Sequence, residues 1–566
     1  MDGLSIFYRY KQPAIKTQNV LLFLHRGHEH SARIMPFANN LSQDEYWCFA
    51  FDLRGHGRSD GPRAWAENFD VWVQDLNSFT GHIQQQFGLS PKDTVLIANS
   101  VGSVMALSWI LNYAPNLKGC ILGAPAFSIK LYIPLALPVL KLVSRFSNKR
   151  FVTSYVRSSL LTRDKNEAKA YDNDKLITKQ IGVNILTSLF ATVKNIFNRL
   201  KDFETPVLVF TAGKDYIVDN KYHNTFVNGI SSAIKEHIFL PEFRHALFHE
   251  KDQQRILIPC QQFIKQLFLT EVPKQLPSII PHAREHTLIE YAQLSKKASP
   301  TKQFYYTTYR YLLEKIGRYS DGVSTGLNYG FDSGISLDYV YRNQSSGSHW
   351  AGKLIDRVYL NSIGWQGIRT RKANIKNTLT GVIKLLEEQG VQPVILDIAS
   401  GPARYLFEIQ QESKFPVKLL LNDNDQNSLN HAKTLANEFN ASDVSFTSQN
   451  AFEISAESIV DDLQPNIIIV SGLFELYDNN PRVHQVIKQL FNIISNGGYL
   501  IYTGQPWHPQ IEMIGRVLNN RNGKKWLMRR RVQQEMDLLV ESTGFSKLNT
   551  AADSSGIFTV SCAQKP

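Results

Sequence analysis

Short, unbroken apolar runs recur along the chain, each followed by a stretch in which apolar residues return at helical spacing. In the first half the runs are VLLFLH (20–25), WCFAFDL (47–53), TVLIANS (94–100), KGCILGA (118–124) and PVLVFTAG (206–213). Such runs predict short strands, and their alternation with helical stretches up to about position 268 predicts an α/β fold. The segment from about 127 to 200 breaks the alternation. It is helical, aliphatic and basic with no strand pattern, and reads as an inserted cap. Pro273, Pro277, Pro281 and Pro300 among polar residues mark a linker over 271–303. A second α/β pattern follows in PVILDIASG (393–401), VKLLLNDND (417–425), DVSFTSQNAF (443–452), PNIIIVSGLF (465–474) and GGYLIYTG (497–504). The stretch before it, 305–388, is rich in Tyr, Gly and Arg and holds no comparable strand. The predicted organisation is a first α/β domain over 1–270, the linker, a helical extension over 304–390 and a second α/β domain over 391–566.

A chain of 566 residues is long enough for more than one core, and 43% hydrophobic with 20% charged residues excludes a mostly disordered polymer. The formal charge of +12 has two readings: a mildly basic enzyme with its excess spread over the chain, or a surface that meets an anionic membrane. Arg529–Arg531, following Lys524 and Lys525, form the one compact cationic cluster. No recognised RNA-binding motif accompanies the charge, so a nucleic-acid partner is not expected. Cys48, Cys120, Cys260 and Cys562 lie far apart, in neither a metal spacing nor a disulfide framework. No metal is expected, and the expected location is the cytoplasm, with peripheral attachment at the inner membrane as the alternative. The first residues carry no secretory pattern. The most apolar stretch, LYIPLALPVLKLV (131–143), is too short to span a bilayer and is broken by Pro134, Pro138 and Lys141.

The run VLIANSVGSV places Ser100 between a strand and a helix, with small Ala98 and Gly102 two residues to either side. A nucleophile elbow needs that arrangement, although its usual first Gly is here Ala. Upstream lie HRGHEHS (25–31) and DLRGHGRSDG (52–61). Downstream, Asp215 follows a strand in TAGKDYIVD and His245 stands in LPEFRHALFHE. The order Ser, Asp, His is that of α/β-hydrolases. With these motifs, residues 1–268 resemble the monoacylglycerol lipase and lysophospholipase branch of that superfamily, and LLTRDKNEAKAYDNDKL (160–176) is similar to its cap. The resemblance implies Ser100 as nucleophile, His245 as base and Asp215 as its orienting acid, with the backbone N–H groups of Gly27 and Val101 as the oxyanion hole. Asp219 rivals Asp215, and His249 and His223 rival His245. One departure is Arg26, where the family has Gly: a cation beside the oxyanion loop could alter access or contact an anionic substrate. The segment 128–151, aliphatic with basic edges, suits either an acyl chain at an anionic interface or packing of the cap.

In the second half, PVILDIASGPARYL (393–406) reads as an apolar strand ending in Asp397, then small residues and Gly401 leading into a helix, and the next strand ends at Asp423. A small-residue turn at a helix start lets a ligand lie against the backbone, and an acid about 20 residues on can hold ribose hydroxyls. This series resembles class I S-adenosylmethionine-dependent methyltransferases, with a Rossmann-like fold. A plain Rossmann dehydrogenase is the rival, and the Gly-Gly turn before YLIYTG favours the methyltransferase. The resemblance implies that Asp397 acts through the amino-acid end of S-adenosylmethionine and that Ala399 and Gly401 give close backbone approach. It also implies that Asp423 binds the ribose (with Asp425 as alternative), that Asn450 lies near the adenine and that Ser471 faces the methyl group. The segments 330–343 and 356–371 resemble the N-terminal extension of a bacterial methyltransferase family, which implies helices over the site. There Tyr339, Tyr341, Arg342, Arg357 and Arg369 either contact an acceptor or pack.

The whole arrangement resembles bacterial fusions of an α/β-hydrolase with a methyltransferase. The implied function is cleavage of an acyl ester of a lysophospholipid or monoacylglycerol-like lipid, together with methylation of an unidentified acceptor. The alternative is an active methyltransferase carrying a non-catalytic hydrolase-like module.

Overall fold

The computed structural model describes residues 3–130, 132, 138, 151–269, 283–454 and 464–566. The chain forms two compact units, Met1–Pro273 and Lys274–Pro566. The first is built on a seven-stranded sheet in the order Tyr8–Lys11, Trp47–Phe51, Val20–Leu24, Thr94–Asn99, Gly119–Gly123, Val207–Ala212, Lys235–Leu240. Only Tyr8–Lys11 runs antiparallel to its neighbour. The five strands expected from apolar runs are its centre, and four of them are buried at every position. Continuous apolar sequence is what a strand covered on both faces requires. The two edge strands are half exposed and carry polar residues, so no apolar run announces them.

Helices Ser31–Ser42 and Gln254–Leu269 cover one face of this sheet, joining Phe37, Leu41, Phe263 and Ile264 to the strand residues Phe23, Ile97 and Phe210 in one core. Helix Phe69–Phe87 buries Phe69, Trp72, Val73, Leu76, Phe79 and Ile83, a stripe at helical spacing. Asn68 caps its start by accepting from the Val71 N–H, and Gly88 in the left-handed region ends it. The cap range contains helices Lys165–Asn173 and Val183–Asn198, as expected, and also a ribbon pairing Phe151–Thr153 with Gln180–Gly182. That ribbon corrects the expectation of a strandless cap: three-residue strands with exposed or half-exposed side chains leave no pattern to read. Most of 128–151, singled out for its aliphatic and basic character, lies outside the described residues.

The second sheet has the order Val444–Thr447, Lys418–Asn422, Val394–Ile398, Ile467–Val470, Tyr499–Gly504, Thr559–Gln564, Ser546–Ala552. Its first five strands are parallel, and Thr559–Gln564 pairs antiparallel with both neighbours. This is a mixed Rossmann-like sheet whose strand order reverses between Val394–Ile398 and Ile467–Val470. Ligand crevices open at such a switch point, beyond the carboxyl ends of the strands. Helix Ile363–Glu388 packs Ile375, Leu379, Ile383 and Leu386 on one face of this sheet, so it is a layer of the second α/β fold as well as the end of the extension. Ahead of it, Asp321–Tyr329, Gly334–Arg342 and Trp350–Leu360 are helices. No helix among the described residues is long and apolar enough to cross a membrane.

Two expectations need correction. Residues 283–303, read as linker, hold helix Glu285–Ser295 and the start of Pro300–Ile316. Proline marks helix starts as well as linkers, and Pro300 occupies the first helical position. The cationic cluster is no surface patch either, because Arg529, Arg530 and Arg531 are all buried. Arg529 donates to Glu535 (2.6 Å) and Asn480 (2.9 Å), Arg530 forks onto Glu290 (2.6 and 2.8 Å), and Arg531 donates to the Phe474 and Tyr477 carbonyls. Guanidinium supplies several donors in a fixed plane, which suits it to tying loops together in an interior.

Removing one partner of a buried ion pair strands the other charge. Arg529→Ala is therefore expected to destabilise the second unit by about 3–5 kcal/mol. The measurement is the urea midpoint of that unit, and an Arg529→Met, Glu535→Leu double variant should recover most of the loss. A single variant as stable as the parent would show that the pair is not needed.

Candidate active sites

Ser100 ends the strand Thr94–Asn99 and precedes helix Val101–Tyr113 with φ +57° and ψ −117°, a conformation strained for a residue with a side chain. The turn is held by close approach: a Cβ on Gly102 would stand 2.8 Å from the His25 carbonyl oxygen. Ala98, where the usual pattern has Gly, is a fully buried strand residue. His245 Nε2 lies 2.8 Å from Ser100 Oγ, and His245 Nδ1 lies 2.8 Å from Asp215 Oδ2. All three side chains are buried. Asp215 Oδ1 also accepts from the Ile217 and Val218 amides at 2.8 Å. Burial alone would raise the Asp215 carboxyl, but the His245 ring beside it, their hydrogen bond and the two amides hold it below its usual value.

The rivals are placed elsewhere. Asp219 pairs with Lys221 at 3.0 Å. His223 is tied to Thr211 and the Pro125 carbonyl, and His249 faces Glu167 and Glu29. Gly27 lies against the elbow, where a Cβ would touch Val101 Cγ2 at 3.6 Å. The Val101 N–H is the first of its helix, one of the four that lack an intrahelical acceptor. The two upstream motifs brace this loop. His25 Nδ1 donates to the Arg26 carbonyl and Nε2 accepts from the Leu53 N–H, while Asp52 accepts from the Ser31 and Arg58 amides.

Arg26 does not face the elbow as a free cation. Its guanidinium donates to Glu29 at 2.6 Å and lies over the Tyr171 ring of the cap at 5.3 Å. Arg33 continues the network to Glu29 (2.9 Å) and to Glu167 of the cap (3.1 Å). Burial would raise the Glu29 carboxyl, yet Arg26, His249 and Arg33 outweigh it and bring the pKa down to about 2. The network thus joins core to cap. Arg26→Ala is expected to lower the stability of the first unit by about 3–5 kcal/mol, the range for breaking a buried pair. The check is its urea midpoint at pH 7, and an unchanged midpoint would remove the role in holding the cap.

The second site lies at the switch point of the other sheet. Asp397, within the strand Val394–Ile398, is buried; its Oδ2 accepts from Tyr405 OH, while Oδ1 has no hydrogen-bond partner. Burial, with the Asp423 charge adding to it, pushes this carboxyl up to about 8 against the lowering effect of Tyr405. Asp423 Oδ2 accepts from the Gly401 N–H and Oδ1 from the Asp425 N–H, each at 2.8 Å. Burial raises its pKa too. Ala399 (φ +57°) and Gly401 (φ +56°) bend the loop, and a Cβ on Gly401 would approach Gly334 of the helical extension at 3.5 Å. These residues, with Tyr341, Ser471 and Arg521, line a cavity of about 80 Å³. Beside it lies a chamber of about 510 Å³, and Asp332, Leu337, Arg371, Gly472 and Leu476 border both.

Of the residues expected here, Asp397, Ala399, Gly401, Asp423 and Ser471 come together. Asp425 instead caps helix Gln426–Glu438. Asn450 lines neither of these two cavities, and its side chain closes its own turn on the Phe452 N–H and Glu453. Among the five candidate acceptor contacts, Tyr341 lines the smaller cavity. Tyr339 donates to Asp356, Arg369 donates to the Leu360 carbonyl, and neither Arg342 nor Arg357 lines a cavity. Arg371, two positions after Arg369, borders both spaces and was missed, as was Tyr405. Nothing local distinguishes them, since their roles arise from helices that meet only in the fold.

Residues 260–565 match the family described as “Putative methyltransferase”, and residues 15–252 match the family described as “Serine aminopeptidase, S33”. An uncharacterized protein of Escherichia coli K12, YnbC, is 36% identical over 570 residues, covering 99% of this chain and 97% of that one. Human monoglyceride lipase is 26% identical over 266 residues, covering 44% of this chain and 86% of the lipase. Phospholipase YtpA of Bacillus subtilis is 22% identical over 250 residues, covering 44% of this chain and 95% of the phospholipase. The chain therefore belongs to this methyltransferase family, with an α/β-hydrolase domain fused ahead of the methyltransferase domain.

Proposed function

We propose that the chain is a bifunctional enzyme: a serine hydrolase of lipid-like acyl esters and an S-adenosylmethionine-dependent methyltransferase. The observation that carries the first half is the continuous relay from Asp215 through His245 to Ser100, with both contacts at 2.8 Å and all three groups buried. His245 Nε2 takes the Ser100 proton as Oγ attacks the ester carbonyl, then returns it to the leaving alcohol. Asp215 keeps the other ring proton on Nδ1, and the N–H groups of Gly27 and Val101 receive the oxyanion. A second attack, by water activated through the same histidine, frees the acid. The lipase and phospholipase relatives support a monoacylglycerol or lysophospholipid-like ester as the substrate class.

The methyltransferase half rests on the cradle at the switch point, which fits S-adenosylmethionine. The unpartnered, buried Asp397 Oδ1 is an acceptor suited to an ammonium group, and Asp423 keeps lone pairs for ribose hydroxyls. The small residues 399–401 leave the backbone open to close approach. When bound, the cofactor supplies an electrophilic methyl group on a sulfonium. Ser471 and Gly472, at the end of the fourth parallel strand, line the cradle, and in this reading they would face that methyl group.

The triad is tested by covalent labelling with a fluorophosphonate. Native protein is expected to label at Ser100 and Ser100→Ala not at all. Asp215→Asn should lower kcat on a monoacylglycerol by about 10⁴-fold, while Asp219→Asn should change it by less than about twofold. Labelling absent from native, folded protein would favour the non-catalytic module.

The cofactor is tested by proton release. The folded pKa of Asp397 lies above its unfolded value, so at pH 7 the carboxyl holds a proton that unfolded chain has lost. Its destabilising effect on ligand-free protein grows as pH rises from about 4 toward 8. Capture of the cofactor's ammonium should expel most of that proton. Calorimetric titration with S-adenosylmethionine at pH 7 should then show heats that vary with the ionisation enthalpy of the buffer, and Asp397→Asn should abolish the variation. Binding with equal heats in all buffers would remove Asp397 from the role.

A further inference from the structure

Helix Pro300–Ile316 has two apolar faces. Tyr306 and Leu313 pack against the core of the helical extension. Tyr305, Tyr309, Leu312 and Ile316, at the i, i+4, i+7, i+11 spacing of a single stripe, are exposed. Helix Trp350–Leu360 repeats the pattern. It buries Gly352, Asp356 and Leu360, while Trp350, Leu354 and Val358, each about one turn after the last, are 80%, 54% and 68% exposed. On both helices a stripe of the kind that covers a core lies in solvent. Single exposed apolar side chains are ordinary, but two such stripes at one place mark a surface that something covers.

The end of the first helix is tied to the start of the second. Pro300–Ile316 runs into the turn Gly317–Tyr319, where the Tyr319 ring stacks on His349 with 5.0 Å between centroids and the Tyr319 carbonyl packs directly on Gly352. Farther along, Tyr309 of one helix and Val358 of the other line the 510 Å³ chamber, and both are exposed. The two stripes therefore flank a mouth of that chamber.

Charge selects the occupant. Lys315, Arg318, Lys353 and Arg357 are exposed on these segments, and none has an ion-pair partner among the described residues. Glu314 is the one exposed acid over 300–319 and 349–363, since Asp356 is buried. Apolar stripes edged by unpaired cations match an anionic surface with hydrocarbon beneath it. Trp and Tyr carry an apolar ring with a polar tip, which suits them to the level of lipid headgroups. Two copies of this face set against each other would instead bring like charges together.

We infer that this face of the second unit docks on an anionic bilayer. Trp350, Leu354, Leu312 and Ile316 enter the edge of the hydrocarbon, the four cations meet lipid phosphates, and the chamber opens to lipid rather than to water. The Arg529–Arg531 cluster, being buried, takes no part. Docking does not depend on the chemistry of either candidate site.

The test mixes the full chain with vesicles of phosphatidylglycerol and phosphatidylcholine in equal parts and reads bound protein by sedimentation. Binding is expected to be at least about tenfold tighter than to phosphatidylcholine alone and to fall as salt is raised. A Leu312→Asp, Leu354→Asp double variant should weaken it about tenfold or more. Both positions are exposed, and an unchanged urea midpoint of the second unit reports that the variant has folded. Trp350 is the one exposed tryptophan of the eight, so lipids with brominated acyl chains should quench its fluorescence. Trp350→Phe should bind within about threefold of the parent and lose most of that quenching. Vesicle binding left intact in the double variant, or quenching that survives Trp350→Phe, would place the contact on another surface and overturn the inference. A parent chain that ignores anionic vesicles would overturn it as well, and a lipid-free dimer abolished by the double substitution would then assign the face to a second copy.

Discussion

A parallel strand covered on both faces presents polar side chains at least cost where it stops, and both candidate sites of this protein follow from that constraint. The central strands of each sheet are apolar and buried, and the groups of the two candidate sites stand at or just past their carboxyl ends. Ser100 follows Thr94–Asn99, and Asp215 comes three residues after Val207–Ala212. Asp423 follows Lys418–Asn422, and Ser471 follows Ile467–Val470. Asp397 is the exception that lies inside its strand, and it bears the consequence as a carboxyl pushed up to about 8. Clustering at strand ends costs about nothing in core packing, because the interior remains hydrocarbon. It also places the helix starts, with their unpaired N–H groups, at the same edge.

The interior charges obey a second rule, that a buried ion must find partners. Arg26, Glu29 and Arg33 satisfy one another while gripping the cap, and Arg529 to Arg531 satisfy Glu535, Glu290 and a set of carbonyls. In both places residues that look like surface chemistry in one dimension are structural in three. Arg371, between the two cavities of the second unit, keeps to the rule, with Nη1 3.7 Å from Glu475.

Much of the fold was legible. Ten runs predicted ten strands of the two sheets, and nine are largely buried, where hydrocarbon burial leaves a continuous imprint. The tenth, Val444–Thr447, is a half-buried edge strand, while the buried Thr559–Gln564, with Thr, Ser and Gln in its sequence, left no such run. The edge strands Tyr8–Lys11 and Lys235–Leu240 left none, since one side of each meets solvent. The helix Glu285–Ser295 was hidden by prolines to either side, and its docking depends on Arg516, Arg529 and Arg530, more than 200 positions away. Among the expected residues, Asp397, Ala399, Gly401, Asp423 and Ser471, announced by strand ends or a turn, line one cavity, whereas Asn450 lies outside it and accepts from the Phe452 N–H.

By itself, then, the sequence determined where strands and elbows form and in what order the reactive groups appear, since those depend on local spacing and on which runs can be buried. Only the tertiary structure brought Asp215 rather than Asp219 to His245, and Asp423 rather than Asp425 to the Gly401 loop. Each of those choices turns on one or a few ångströms across pairs distant in the chain. His245 lies 145 positions from Ser100 yet 2.8 Å away. Spacing in one dimension carries no information about such a distance, whereas packed helices and strands allow only one of the two candidates to reach.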